Sequence, residues 1–83
     1  MKSFTIEYHD NGKICLKGQK NSKGERDGIE ERFYDNGNIR WRVTYKKGKL
    51  DGIAVFFHKD GNVTDTQVWK DGELIEETKH QIS

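Results

Sequence analysis

Residues 27–48 read DGIEERFYDNGNIRWRVTYKKG, two short segments separated and closed by glycine-containing turns. In the second segment, apolar and polar residues alternate from Ile39 to Tyr45, which is the period of a half-buried β-strand. Asn36-Gly37 separates the segments, and an Asn-Gly pair supplies the two positive φ angles of a type I′ turn. This stretch therefore predicts one antiparallel β-hairpin.

The same pattern recurs along the chain at a step of 24 or 25 residues. Three families of glycines keep this step: Gly12, Gly37 and Gly61; Gly24, Gly48 and Gly72; Gly28 and Gly52. A fixed period of this length is the signature of a repeat architecture. Turns around Gly48 and Gly72, and a longer one at Asn21–Gly24, join one hairpin to the next, so the sequence predicts an all-β, single-layer antiparallel β-meander.

Length and composition describe one thin domain. The 83 residues are 31% hydrophobic, 11% aromatic and 35% charged, which leaves little apolar material for a large catalytic core. We expect a single domain over residues 1–83. The three hairpin repeats are expected at about 4–28, 29–52 and 53–76. A tail, residues 77–83, is expected after a last strand that frays.

Charge and cysteine content restrict partners and location. Fifteen Lys and Arg against 14 Asp and Glu leave a net charge of +1, which disfavours nucleic acid and anionic membrane surfaces as partners. The single cysteine, Cys15, forms no internal disulfide and suits a reducing compartment. The sequence has no apolar run long enough to span a membrane, and its first residues lack the apolar segment of a signal peptide. We therefore expect a cytoplasmic protein.

Four segments of the chain together resemble a MORN repeat, and more narrowly the bacterial MORN-repeat variant. They are Asp27–Ile29, Phe33–Ile39, Tyr45–Lys49 and Asp51–Ile53. The resemblance extends over roughly Tyr8 to Glu76 and implies stacked hairpins in one elongated sheet. It also implies a range of functions without a shared catalytic residue, because some members are antitoxin components and others are scaffold or lipid-associated modules.

Uninterrupted alternation would assign the side chains to two faces of the sheet. The apolar face is expected to carry Phe4, Ile6, Tyr8, Ile14, Leu16, Ile29, Phe33, Ile39, Trp41, Val43, Tyr45, Ile53, Val55, Phe57, Val63 and Trp69. The polar face is expected to carry Glu7, His9, Lys17, Arg32, Tyr34, Arg40, Arg42, Phe56, His58 and Val68. Because a single layer cannot cover its own apolar face, we expect a homodimer or a complex with a protein partner.

Aromatic and arginine side chains are the candidate binding residues. The candidates for contact with a partner are Tyr34, Arg40, Arg42, Phe56, Trp41 and Trp69. Two structural alternatives remain open: the tryptophans can be plain core residues, and the arginines can pair with aromatic side chains across neighbouring strands.

No catalytic, metal-binding or cofactor-binding residue is predicted. His9 and His58 occupy equivalent repeat positions, so repetition explains them without a metal ion. Cys15 lacks a nucleophile elbow and an oxyanion loop.

The leading hypothesis is a small non-catalytic protein-interaction module that binds, and inhibits or neutralises, a protein partner in the manner of an antitoxin. The alternative is a structural or phospholipid-headgroup-binding scaffold that uses Lys17, Arg32, Arg40 and Arg42. An enzyme ranks last.

Overall fold

Eight β-strands form one antiparallel sheet in the computed structural model, which describes residues 2–80. The strands are β1 (Ser3–Tyr8), β2 (Ile14–Lys20), β3 (Gly28–Phe33), β4 (Ile39–Lys46), β5 (Lys49–Leu50), β6 (Gly52–Phe57), β7 (Val63–Lys70) and β8 (Glu73–Lys79). Their spatial order is β1-β2-β3-β4-β6-β7-β8, and the short β5 pairs with β4. The predicted all-β meander is therefore confirmed.

The sheet is one layer thick, with extents of 43 × 36 × 12 Å. Residues 73–79 form β8, the last strand that the sequence predicts. Residues 81–83 of the predicted tail lie outside the described part of the chain. Between residues 2 and 80 there is no helix long and apolar enough to cross a membrane.

The turn inside each hairpin differs from the predicted type I′ geometry. In the middle hairpin, the N–H of Gly37 donates to the carbonyl of Tyr34 at 3.0 Å, and the N–H of Tyr34 donates to the carbonyl of Asn38 at 2.8 Å. Gly37 has a φ of 93°, whereas Asn36 is not among the residues with positive φ. This is a type I turn closed by a left-handed glycine, and the Asn36 side chain caps it by accepting the Asn38 N–H at 2.8 Å.

The type I′ geometry lies instead at the opposite end of the sheet. Lys47 and Gly48 have φ values of 51° and 83°, and Asp71 and Gly72 have 50° and 84°. These pairs are the two-residue loops that join Lys46 to Lys49 and Lys70 to Glu73 across the ladder. The sequence thus located both kinds of turn but assigned the type I′ geometry to the turns inside the hairpins, where it does not occur.

A β-bulge follows each of the type I turns. Arg32 pairs with Trp41 and Phe33 pairs with Ile39, so Arg40 is an extra residue on β4. Cys15 and Thr64 are the extra residues at the equivalent positions of the outer hairpins. An extra residue reverses the in–out alternation beyond it. Side chains on either side of each bulge therefore lie on opposite faces, although the sequence alternates without interruption.

We call the two surfaces the tryptophan face and the isoleucine face. The tryptophan face carries Leu16, Glu30, Arg32, Trp41, Val43, Tyr45, Ala54, Phe56, Asp65, Gln67 and Trp69. The isoleucine face carries Phe4, Ile6, Tyr8, Ile14, Lys17, Ile29, Glu31, Phe33, Ile39, Arg42, Ile53, Val55, Phe57, Val63 and Val68.

The faces predicted from uninterrupted alternation are wrong for eight residues because of these bulges. Five predicted apolar-face residues lie on the tryptophan face: Leu16, Trp41, Val43, Tyr45 and Trp69. Three predicted polar-face residues lie on the isoleucine face: Lys17, Arg42 and Val68. The buried residues of the described chain all lie on the tryptophan face: Leu16, Glu30, Val43 and Ala54.

Side chains in the type I turns connect successive hairpins. Asn11 donates through Nδ2 to the carbonyl of Asp35 at 2.8 Å, and Asn36 donates in the same way to Lys59 at 2.9 Å. The residue just before the turn adds a second link in the middle hairpin, where the Tyr34 hydroxyl donates to the carbonyl of Phe57 at 2.8 Å. The equivalent His9 places Nε2 2.9 Å from the carbonyl of Phe33, which gives this histidine a structural role.

Candidate functional site

Trp41 lies at the centre of a cluster on the tryptophan face. The guanidinium carbon of Arg32 is 5.4 Å from the centroid of the indole ring, and that of Arg40 is 5.2 Å away. The Phe56 ring is tilted by 60° at a centroid distance of 6.3 Å. The ladder produces this arrangement, because Trp41 pairs with Arg32 on β3 and with Phe56 on β6, while the bulge directs Arg40 toward the same face.

Tyr34 completes this group, which we call the Trp41 cluster. Its ring centroid lies 5.6 Å from the guanidinium carbon of Arg40, and its hydroxyl is fixed by the carbonyl of Phe57. Four predicted binding residues therefore come together in one place: Tyr34, Arg40, Trp41 and Phe56. They border an open depression of about 370 Å³ that Thr64, Asp65 and Gln67 also line.

The other two predicted binding residues lie elsewhere. Arg42 is on the isoleucine face, where Nε and Nη2 donate to one carboxylate oxygen of Glu31 at 3.0 and 2.7 Å. Trp69 is on the tryptophan face but does not line the depression, and its indole N–H donates to the side-chain oxygen of Gln67 at 2.8 Å. The expectation that Arg40 and Arg42 share one face is thus wrong.

Arg32 belongs to the cluster, although the sequence named it only for the lipid-headgroup alternative and not among the residues for contact with a protein partner. Its sequence position gives no sign of this role, because uninterrupted alternation assigned Trp41 to the opposite face. The signal lies in the register, which sets Arg32 directly opposite Trp41. Cross-strand pairing of arginine with an aromatic side chain, which the sequence left open, is present here.

The isoleucine face carries exposed apolar side chains at equivalent repeat positions. Phe4, Ile29 and Ile53 are 75%, 50% and 59% exposed, and Ile6 and Tyr8 are exposed beside them. A second open depression, of about 500 Å³, has Phe4, Ile6 and Ile29 in its lining. The sequence correctly assigned these five residues to one apolar face.

Two findings concern polar chemistry. Among residues 2–80, no three His, Cys, Asp or Glu side chains are placed to hold a metal ion together.

In the third type I turn, the backbone N–H of Asn62 donates to Asp60 at 3.0 Å and is the largest cause that lowers the pKa of the Asp60 carboxyl. His58 lies 3.1 Å from the same carboxylate and contributes less.

Over residues 2–80 the fold and these surfaces define a repeat-built β-sheet with open depressions on its faces, the kind of molecule that presents surfaces for binding. Residues 26–47 match the family model described as MORN repeat variant. This match covers the middle hairpin, confirms the resemblance there, and supports a binding or scaffold module. No curated protein and no solved structure matches the chain.

Proposed function

We propose that the chain is a non-catalytic protein-interaction module that docks a protein partner on its isoleucine face. One observation carries the proposal: the exposed apolar row formed by Phe4, Ile29 and Ile53. Phe4 and Ile29 also line one depression together with Ile6, and an apolar patch of this kind on a soluble domain is typical of an interaction site. By occupying a functional surface of its partner, the chain would inhibit or neutralise it, as the resemblance to antitoxin-like MORN variants implies.

The dimensions and energetics of the sheet are adequate for such docking. A standard protein interface needs about 800 Å² from each partner, and the sheet extends over 43 × 36 Å. Full burial of an exposed Ile or Phe side chain contributes about 1.5–3 kcal/mol. The apolar row alone would thus supply several kcal/mol on binding.

Ile53 and Ile75 offer a matched pair for the test, because both are 59% exposed and only Ile53 belongs to the apolar row. The wild type, Ile53→Glu and Ile75→Glu would each be immobilised and exposed to a host lysate. The captured protein would be identified by mass spectrometry and its affinity for each purified variant measured by calorimetry. We expect Ile53→Glu to weaken binding at least about tenfold, since a charge would be buried in the interface, and Ile75→Glu to bind as the wild type does.

Circular dichroism would show whether both variants keep the sheet. Equal affinities for the two folded variants would contradict docking on the isoleucine face. A folded Cys15→Ser variant that keeps its partner but loses a catalytic activity would contradict the non-catalytic part of the proposal.

The lipid-scaffold alternative has less support from the geometry. Lys17 and Arg42 lie on the isoleucine face, whereas Arg32 and Arg40 lie on the tryptophan face. A planar membrane contacts one face of a sheet at a time, so the four cations cannot act together. Salt-sensitive binding to phosphatidylserine vesicles that is lost in the Arg40→Gln variant would restore this alternative.

A further inference from the structure

The two arginines of the Trp41 cluster have unused donor groups. The guanidinium groups of Arg32 and Arg40 make no hydrogen bond or salt bridge with any residue between 2 and 80. The Nε atom of Arg32 is buried without a partner, so stacking on Trp41 holds this side chain and no carboxylate does. Its terminal Nη atoms and the guanidinium of exposed Arg40 remain available.

Two acidic residues of the same face are paired with other cations. Glu30 pairs with Arg26 at 3.1 Å, and Asp65 pairs with Lys79 at 3.4 Å. Asp65 therefore lines the depression beside the Trp41 cluster with its carboxylate already paired, and Glu30 does not line it. On the isoleucine face the pattern differs, since Arg42 has its own carboxylate partner in Glu31.

The two free guanidiniums also lie against the same indole ring. Each is within 5.4 Å of the same indole centroid, so their separation cannot exceed the sum of the two distances. A guanidinium stacked on an aromatic ring keeps its N–H groups directed outward in the plane, where they match the geometry of a carboxylate. The depression beside Arg40 is bordered by Tyr34 and Phe56, which provide apolar contacts.

We propose that the Trp41 cluster binds a carboxylate side chain of an acidic protein segment, with the neighbouring apolar residue of that segment in the depression. This site is on the opposite face from the proposed docking row and goes beyond it. A net charge of +1 and the presence of Asp65 in the depression favour a singly charged carboxylate over a polyanion.

Arg40 and Arg42 form a matched pair for the test because they are two residues apart and lie on opposite faces. The probe is the capped tetrapeptide Leu-Glu-Leu-Glu, with Leu-Gln-Leu-Gln as its neutral analogue. Titration would be followed by NMR of the ¹⁵N-labelled chain, which resolves the indole signals of Trp41 and Trp69. We expect the Glu peptide to move the Trp41 signal, the Gln peptide to bind about tenfold more weakly, and the Trp69 signal to stay in place.

Among the variants, Arg40→Gln should weaken Glu-peptide binding about tenfold, and Arg42→Gln should leave it unchanged. Arg40→Lys should restore part of the affinity, because an ammonium keeps the charge without the planar fork. Equal binding of the two peptides would overturn the proposal, as would an equal loss in both Gln variants or no shift of the Trp41 signal. Inorganic phosphate or anionic vesicles that displace the Glu peptide at lower concentration would also overturn it and assign the site to a phosphate group.

Discussion

The two faces of this sheet differ in how well their apolar side chains are covered. Leu16, Val43 and Ala54 on the tryptophan face are at most 7% exposed, whereas Phe4 and Ile53 on the isoleucine face exceed 50%. Residues at one position of successive hairpins are two strands apart, roughly 10 Å, so short aliphatic side chains do not reach each other. On the tryptophan face, long arginine and aromatic side chains span this distance and cover what lies between them. Neighbours on the same face, rather than hydrophobicity alone, decide burial.

Replacing one aliphatic residue on each face tests this comparison most directly. We expect Leu16→Ala to lower the free energy of unfolding by about 2 kcal/mol or more, because it leaves a gap among packed neighbours. Ile53→Ala, at a position 59% exposed, should cost less than about 1 kcal/mol. Urea denaturation followed by tryptophan fluorescence measures both values. Equal losses would mean that the faces are not packed differently.

The difference between the faces depends on the turn that precedes each bulge, and Gly37 tests that dependence. At a φ of 93° a β-branched side chain is strained, so Gly37→Val should cost more than about 1–2 kcal/mol. The added Cβ would meet only the flexible end of Lys13, at 3.8 Å, so the cost comes from the backbone.

The neighbouring change Asn38→Lys serves as the comparison for Gly37→Val. It removes one exposed hydrogen bond, from Nδ2 of Asn38 to the carbonyl of Lys59, and should cost less than Gly37→Val. Equal melting temperatures for the two variants would count against the positive φ at Gly37.

The sequence predicted the repeats but not the faces, and the reason is the bulge at Arg40. Glycine spacing locates every hairpin because a chain reversal needs particular residues at particular places. The alternation from Ile39 to Tyr45 is the same with or without an extra residue in the ladder. Pairing partners on β3 and β6 determine where the extra residue lies, and that information is not local to β4.

The bulge at Arg40 also explains why the sequence predicted only some residues of the Trp41 cluster. Tyr34 and Phe56 were correctly placed with Arg40, because neither follows a bulge on its own strand and Arg40 is itself the extra residue. Arg42 was placed on the wrong face, and Arg32 was not assigned to the cluster, since both conclusions needed the register. The wrong turn type at Asn36-Gly37 has another cause: Asn36 uses its side chain to cap the turn and bind the next repeat.

A smaller effect is expected from the asparagines that connect the hairpins. Asn36 both caps its own turn and donates to Lys59, whereas the contacts of the equivalent Asp60 within residues 2–80, to the Asn62 N–H and to His58, stay inside its own turn. Asn36→Ala should therefore cost about 1 kcal/mol, and Asp60→Ala should cost less. Thermal unfolding by circular dichroism distinguishes them. A larger loss for Asp60→Ala would contradict the connecting role of Asn36.

The smallest expected effect is a pH dependence confined to the third turn. The hydrogen bond from the backbone N–H of Asn62 lowers the pKa of Asp60 below its usual 3.8, and desolvation opposes this shift in part. The ionised carboxylate therefore stabilises the fold at pH values above 3.8. This contribution disappears as the pH falls through the lowered value. Asp60→Asn should keep the cap through its amide oxygen without this titration. The melting temperature of the wild type relative to Asp60→Asn should therefore fall as the solution is acidified from neutral pH to below 3.8.

A suitable control for that titration is Asp10→Asn in the first turn, where the replaced carboxylate makes no hydrogen bond with any residue from 2 to 80. The cap of that turn is Asn11, which donates its amide to Asp35 and accepts the N–H of Lys13. If the wild type and Asp60→Asn instead kept a constant difference in melting temperature, the Asn62 hydrogen bond would not favour the ionised carboxylate. The third turn would then be capped as the asparagine turns are, with charge playing no part.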